Sequence, residues 1–181
     1  MIFSQQELVI DYLRGFYKSC KYGTVINGKK YTNDNFDECA IDKAKLLFPA
    51  EISKYKCGTC YDTVQYSIET FLKYNIHFRH CFISTRKQYD YEQGMWNDPT
   101  HTFILYYLND KCYWLEGSWR KYIDINISRT DSDALVKYIK KIWCESNNTD
   151  KAYVRSIINY PKPGLTYHKA YKQFMSGKII F

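Results

Sequence analysis

Cys60, His101 and Glu116 are the side chains in this sequence whose types and spacing suit covalent chemistry. Cys60 follows Gly58-Thr59 and opens a stretch, to about Tyr74, in which Val64, Ile68, Phe71 and Leu72 recur at helical spacing. A thiol at a helix N-terminus meets unpaired backbone N–H groups and the positive end of the helix dipole, and both favour the sulfur anion. The same N–H groups can donate to the oxygen of a tetrahedral intermediate, so one helix end serves the attacker and the charge it creates. Gly58, with no side chain, would let a substrate approach the backbone there. Taken alone, a cysteine at a helix start is more simply a buried packing residue.

A nucleophilic cysteine also needs a base, and a second segment supplies one with a carboxylate. Residues His101 to Leu108 and Lys111 to Glu116 are two β-rich runs separated by the turn pair Asn109-Asp110. If that pair is a two-residue turn, Leu108 faces Lys111 and Phe103 faces Glu116. His101 shares a face with Phe103, which makes His101 and Glu116 diagonal neighbours within side-chain reach. A carboxylate there holds the imidazole in one tautomer and leaves the other ring nitrogen for the thiol. One extra residue in the turn would put the two groups on opposite faces.

Three fragments in this order, Gly58-Thr59-Cys60-Tyr61-Asp62 opening a helix, His101-Thr102-Phe103 opening a strand, and Glu116-Gly117-Ser118-Trp119, resemble the transglutaminase-like branch of the papain-like cysteine enzymes. That superfamily has a helix-initial Cys, a His at the start of a strand, and an acid about fifteen residues later, commonly in an Asp-Pro-Thr-Trp setting. The resemblance covers roughly residues 50 to 125 and implies Cys60 as nucleophile, His101 as base and Glu116 as orienting acid. In this chain the acid is Glu rather than Asp. No Trp precedes Cys60, and Lys54 stands where papain-type enzymes carry Gln, so the resemblance assigns no side-chain oxyanion donor. No acidic calcium-binding loop is visible, and no cofactor or metal is implied.

The elements that must position these groups follow from periodicity. Ser4 with Glu7 caps an amphipathic helix ending near 15 to 20. Residues 21 to 37 read as a loop or short hairpin, and a short helix from Ile41 to Phe48 is expected to stop at Pro49. Ile76, Phe78, His80 and Phe82 alternate as in a strand, and 85 to 99 reads as a long loop. Further on, the pattern predicts a strand from Tyr122 to Ile127 and a helix from Thr130 to about Cys144. A pair of short helices follows, at Asp150 to Ile157 and Tyr167 to Met175, parted by Pro161 and Pro163. The sum is one α+β domain over 1–181, with helices packed on a mainly antiparallel sheet, core motifs at about 50–125 and a C-terminal helical segment at 130–181. Trp119 and Trp96 flank the predicted His and Glu and are candidates to line a substrate cleft, while Trp114 reads as core.

Composition bounds the rest. With 181 residues and 33 aromatics the chain can bury an ordinary core without a staple. Seven cysteines, an odd number, with no signal-like start and no apolar run of spanning length, lead us to expect free thiols and a cytoplasmic, membrane-free protein. The net charge of +7 is scattered without a run of five like signs, which disfavours nucleic acid as a partner. Cys57 and Cys60 with His77 and His80 form a superficial zinc pattern, but the two histidines have opposite strand parity and should not converge on one ion. The expectation is a cysteine-dependent acyl-transfer enzyme acting on a protein, peptide or small amide substrate, either a peptidase or deamidase, or a transferase to an amine. Its rival is a non-catalytic binding protein on the same fold.

Overall fold

The computed structural model describes residues 4–32, 43–89 and 99–181. Trp96, Cys39 and most of the 85–99 loop lie outside them. Helix α1 (Gln5–Ser19) starts at a capping box in which Ser4 Oγ accepts from Glu7 N–H and the Glu7 carboxylate accepts from Ser4 N–H. Val9, Ile10, Leu13, Phe16 and Tyr17 form its buried stripe. The chain then makes a hairpin, β1 (Lys21–Ile26) and β2 (Lys29–Thr32), and short strand β3 (Cys57–Gly58) adds parallel to β1 to complete a three-stranded sheet. Gly23, at φ 151°, leaves no room for a side chain against the Tyr31 carbonyl oxygen, so β1 and β2 close only with glycine there.

The larger sheet has six antiparallel strands in the order β7-β6-β5-β4-β8-β9. They are β4 (Phe78–Ser84), β5 (Thr100–Leu108), β6 (Lys111–Leu115), β7 (Ser128–Arg129), β8 (Tyr153–Ile157) and β9 (Lys178–Ile179). It contains the β5–β6 hairpin, in which Leu108 pairs with Lys111 and Ile104 with Leu115. Asn109 and Asp110 take φ 50° and 59°, the left-handed pair of a type I′ turn, so the hairpin has the two-residue loop that parity requires.

Strand parity sorts the helices into layers. Ile104, Tyr106 and Leu115 face α1 and α3 (Cys60–Lys73), which contribute Leu13, Val64, Ile68 and Phe71. Phe82 and Ile157, on that same face, meet α5 (Tyr167–Met175) through Tyr171 and Phe174. The opposite face, with Cys81, Phe103, Leu105 and Trp114, is covered by Leu135, Val136, Ile139 and Trp143 of α4 (Ser132–Ser146). An α+β architecture with a mainly antiparallel sheet is therefore present.

Four expectations need correction. Pro49 does not stop a helix but opens one, α2 (Pro49–Tyr55), because its fixed φ and missing N–H suit the first helical position; from Ala44 to Phe48 the chain is non-helical and Lys45 bridges Thr166. The strand expected at Tyr122 to Ile127 is instead a 3₁₀ turn (Arg120–Tyr122) followed by β7. Asp131, not Thr130, caps α4, its carboxylate accepting from Asp133 N–H at 2.8 Å. The helix at Asp150 to Ile157 is strand β8, since β4 offers an edge on which Val154 and Ile157 bury, so the C-terminal segment 130–181 is not all helical.

Candidate active site

Strand β6 ends at Leu115, opposite Ile104, so residues 100–103 of β5 run past it. The turn after β6 and the first turn of α3 meet in that space. Gly117 lies so close to α3 that a Cβ would come within 2.6 Å of the Thr63 Cβ, and glycine alone permits the approach. Tyr61 Oη and Thr100 Oγ1, 3.1 Å apart, tie the same helix end to the start of β5.

Into this junction project the three predicted groups. His101 Nε2 and Glu116 Oε2 are 2.8 Å apart, and both residues are buried. The other carboxylate oxygen, Oε1, accepts from Ser118 N–H at 2.8 Å, Trp119 N–H at 2.8 Å and the Ser118 hydroxyl at 3.1 Å. The acid is thus fixed by its own turn, and the length of Glu relative to Asp is taken up in that span. Cys60, the first residue of α3 and 5% exposed, is near enough to His101 to raise the proton affinity of its imidazole. With Nε2 committed to Glu116, Nδ1 is the ring nitrogen left for the sulfur.

Electrostatics follow from this packing. Burial pushes the His101 imidazole down, but the Glu116 charge, the nearby Cys60 and the hydrogen bond to Glu116 push it up further, to about 10. Burial alone would raise Glu116, yet the adjacent imidazolium and the backbone donors of its turn hold it below the ordinary carboxylate range. His101 and Glu116 therefore hold each other in their charged forms.

A second carboxylate, Asp62, braces the helix end. It is fully buried and accepts from Thr59 N–H (2.8 Å), the Thr59 hydroxyl (2.9 Å), Leu47 N–H (2.8 Å) and the Tyr167 hydroxyl (2.7 Å). Its role is the helix-terminal one read from the sequence, extended to the 44–48 segment and α5. Gly58, expected to face substrate, is buried, and a Cβ there would come within 3.1 Å of Asp62 Cβ, so the small residue serves packing under the helix start. Cys57 packs in the core with its sulfur 3.8 Å from Thr24 O.

A cleft of about 270 Å³ opens beside His101, lined among others by Tyr22, Thr100, Trp119, Trp143 and Asn147. Trp119 lies edge-on to the His101 ring with centroids 5.7 Å apart, so the structure brings this predicted cleft residue to the site. Tyr22 and the end of α4 carry no local signal that links them to Cys60, and only the folded chain assembles them. His80 and His77 lie apart in role: His77 stacks on Tyr107, whereas His80 is buried against Thr102. Thr102 Oγ1 donates to Cys81 O, so it accepts from His80 Nε2–H, and burial holds that imidazole neutral with its pKa near 3.

Among the described residues no helix is long and apolar enough to cross a membrane. No protein-family model, curated protein or solved structure matches this chain.

Proposed function

We propose that this protein is a cysteine-dependent acyl-transfer enzyme of papain-like, transglutaminase-like kind, with Cys60, His101 and Glu116 as its triad. The observation that carries the reading is the buried His101 held between the Glu116 carboxylate at 2.8 Å and the Cys60 side chain at the head of a helix. Cys60 attacks the carbonyl carbon of an amide or related acyl group as the thiolate, its proton resting on His101. The carbonyl π pair moves to oxygen, facing the Cys60 N–H, which precedes the first hydrogen bond of α3, Thr63 N–H to Thr59 O at 3.0 Å. His101 then gives its proton to the leaving nitrogen as the C–N bond breaks, leaving a thioester on Cys60. A water or amine, deprotonated by His101, attacks the thioester and releases Cys60, giving hydrolysis in one case and transfer in the other. Glu116 keeps the ring in one orientation throughout.

The experiment is mass spectrometry of the protein after brief exposure to iodoacetamide across pH, with wild type and His101→Ala compared. Alkylation concentrated on Cys60, persisting below pH 7 and lost in His101→Ala, supports the reading. Labelling of Cys60 no faster than Cys144, and indifferent to His101, refutes it. Peptide carboxamides offered with and without hydroxylamine then identify the acceptor, since hydroxamate product marks transfer.

A further inference from the structure

The triad leaves one catalytic part without a side chain. A tetrahedral oxyanion at Cys60 has the Cys60 N–H as donor, and the sequence offers no Trp or Gln in the places where a second donor would be expected. Strand β1 brings a candidate from the far end of the chain. Its parallel register sets Lys21 opposite Cys57 and Tyr22 opposite Gly58, so Tyr22 stands abreast of the residues leading into Cys60. Pairing continues beyond it: the next residue is Gly23, which approaches the Tyr31 carbonyl closely as β1 pairs with β2. Tyr22 lines the cleft that also holds His101 and Trp119.

We propose, building on the triad reading, that Tyr22 is a catalytic residue of this site, its phenol O–H donating to the acyl oxygen as Cys60 adds to the carbonyl. No proton is transferred from the phenol. The new bond is Cys60 S–C, the π pair of the carbonyl becomes a lone pair on oxygen, and the hydrogen bonds from Tyr22 and Cys60 N–H stabilise that charge until it reforms the carbonyl and expels the leaving group. Tyr22 is 36% exposed as a residue, yet desolvation of its phenol and the neighbouring charges of Cys60, Asp62 and Glu116 push it above its ordinary range, so it stays a donor throughout neutral and mildly basic pH.

Two reactions of one sulfur separate this role from positioning of the nucleophile. Acylation by p-nitrophenyl acetate passes through an oxyanion, whereas alkylation by iodoacetamide displaces iodide and forms none. In Tyr22→Phe, which keeps the ring and removes only the hydroxyl, the single-turnover acylation rate of Cys60 should fall by about tenfold to a hundredfold. The alkylation rate should stay within about twofold of wild type, which also reports that the site is folded. Equal acylation in wild type and Tyr22→Phe overturns the proposal, as does a parallel loss of both reactions. If wild-type Cys60 is not acylated and its alkylation ignores His101, the triad reading itself falls, and this role with it.

Discussion

Replacing Glu116 by Gln keeps the shape of the side chain and removes its charge. In the wild type the His101 imidazole is carried from 6.5 to about 10 against its own burial, and Glu116 contributes most of what opposes that burial. Without the carboxylate, burial stays and the Cys60 contribution stays, so most of the span is lost. A fall in proton affinity of about a hundredfold to a thousandfold, or about 3–4 kcal/mol at 1.4 kcal/mol per tenfold, is expected. Geometry sharpens the effect. Gln Oε1 can keep the bonds from Ser118 N–H, the Ser118 hydroxyl and Trp119 N–H, which places the amide nitrogen where Oε2 meets His101 Nε2. Two donors would then face each other unless Nε2 gives up its proton, and the ring would turn to the Nδ1–H tautomer, wrong for accepting a proton from sulfur.

The assay is an NMR titration of the His101 ring in wild type and Glu116→Gln. The wild-type ring should titrate near 10 and the variant's between about 7 and 8, with acylation at neutral pH reduced on the order of a thousandfold or more. Stability follows with a definite sign. Because the folded imidazole lies above its unfolded value, the pair's contribution is complete below about 6.5 and is lost as pH rises through about 10. Because Glu116 is lowered, the same contribution also disappears as pH falls below about 4.5. The pH-dependent excess of wild type over variant in urea unfolding should therefore peak between about 4.5 and 6.5. A wild-type His101 titrating at or below 6.5 would refute the reasoning.

Three further perturbations test the scaffold. Gly117→Ala forces a Cβ into Thr63 and should push the Glu116 turn off α3, destabilising by about 1–3 kcal/mol in urea titrations and shifting the His101 ring resonances; unchanged resonances would contradict the packing argument. Tyr167→Phe removes the 2.7 Å hydrogen bond to buried Asp62 and should lower unfolding free energy by about 1.5–3 kcal/mol, read by the same titration. Asp110→Gly places glycine at φ 59° in the type I′ turn and should raise stability by about 0.5 kcal/mol with acylation unaltered; a loss of stability would mean that Asp110 serves more than the turn.

What the sequence revealed of this molecule was what short-range rules control. The His101–Glu116 pairing depends only on the two-residue turn and the two-residue period of strands, both of which are local, and the Cys60 helix announces itself by its apolar stripe. The errors arose where a neighbour decided. Residues 153–157 have a composition compatible with either a short helix or a strand, and the exposed edge of β4 selected the strand. Pro49 is punctuation that reads equally as a stop or a start until the preceding chain is seen bridging Thr166. The cleft wall was out of reach for the same reason, because Tyr22 and Trp143 approach His101 only through sheet pairing and helix packing across the whole chain.

The two carboxylates near Cys60 show why such long-range assembly matters for the chemistry. Asp62 and Glu116 are both buried, and each accepts four hydrogen bonds. Yet burial prevails at Asp62 and raises it, whereas Glu116 is lowered. The difference is a cation: every donor to Asp62 is neutral, while Glu116 holds the imidazolium of His101. Had His101 been shared between the two acids, its ring would have had two competing orientations and Cys60 no fixed partner. Confining the only charge-bearing donor to Glu116 lets Asp62 anchor the helix end through neutral groups, so the position of Cys60 and the charge on His101 are set by separate residues.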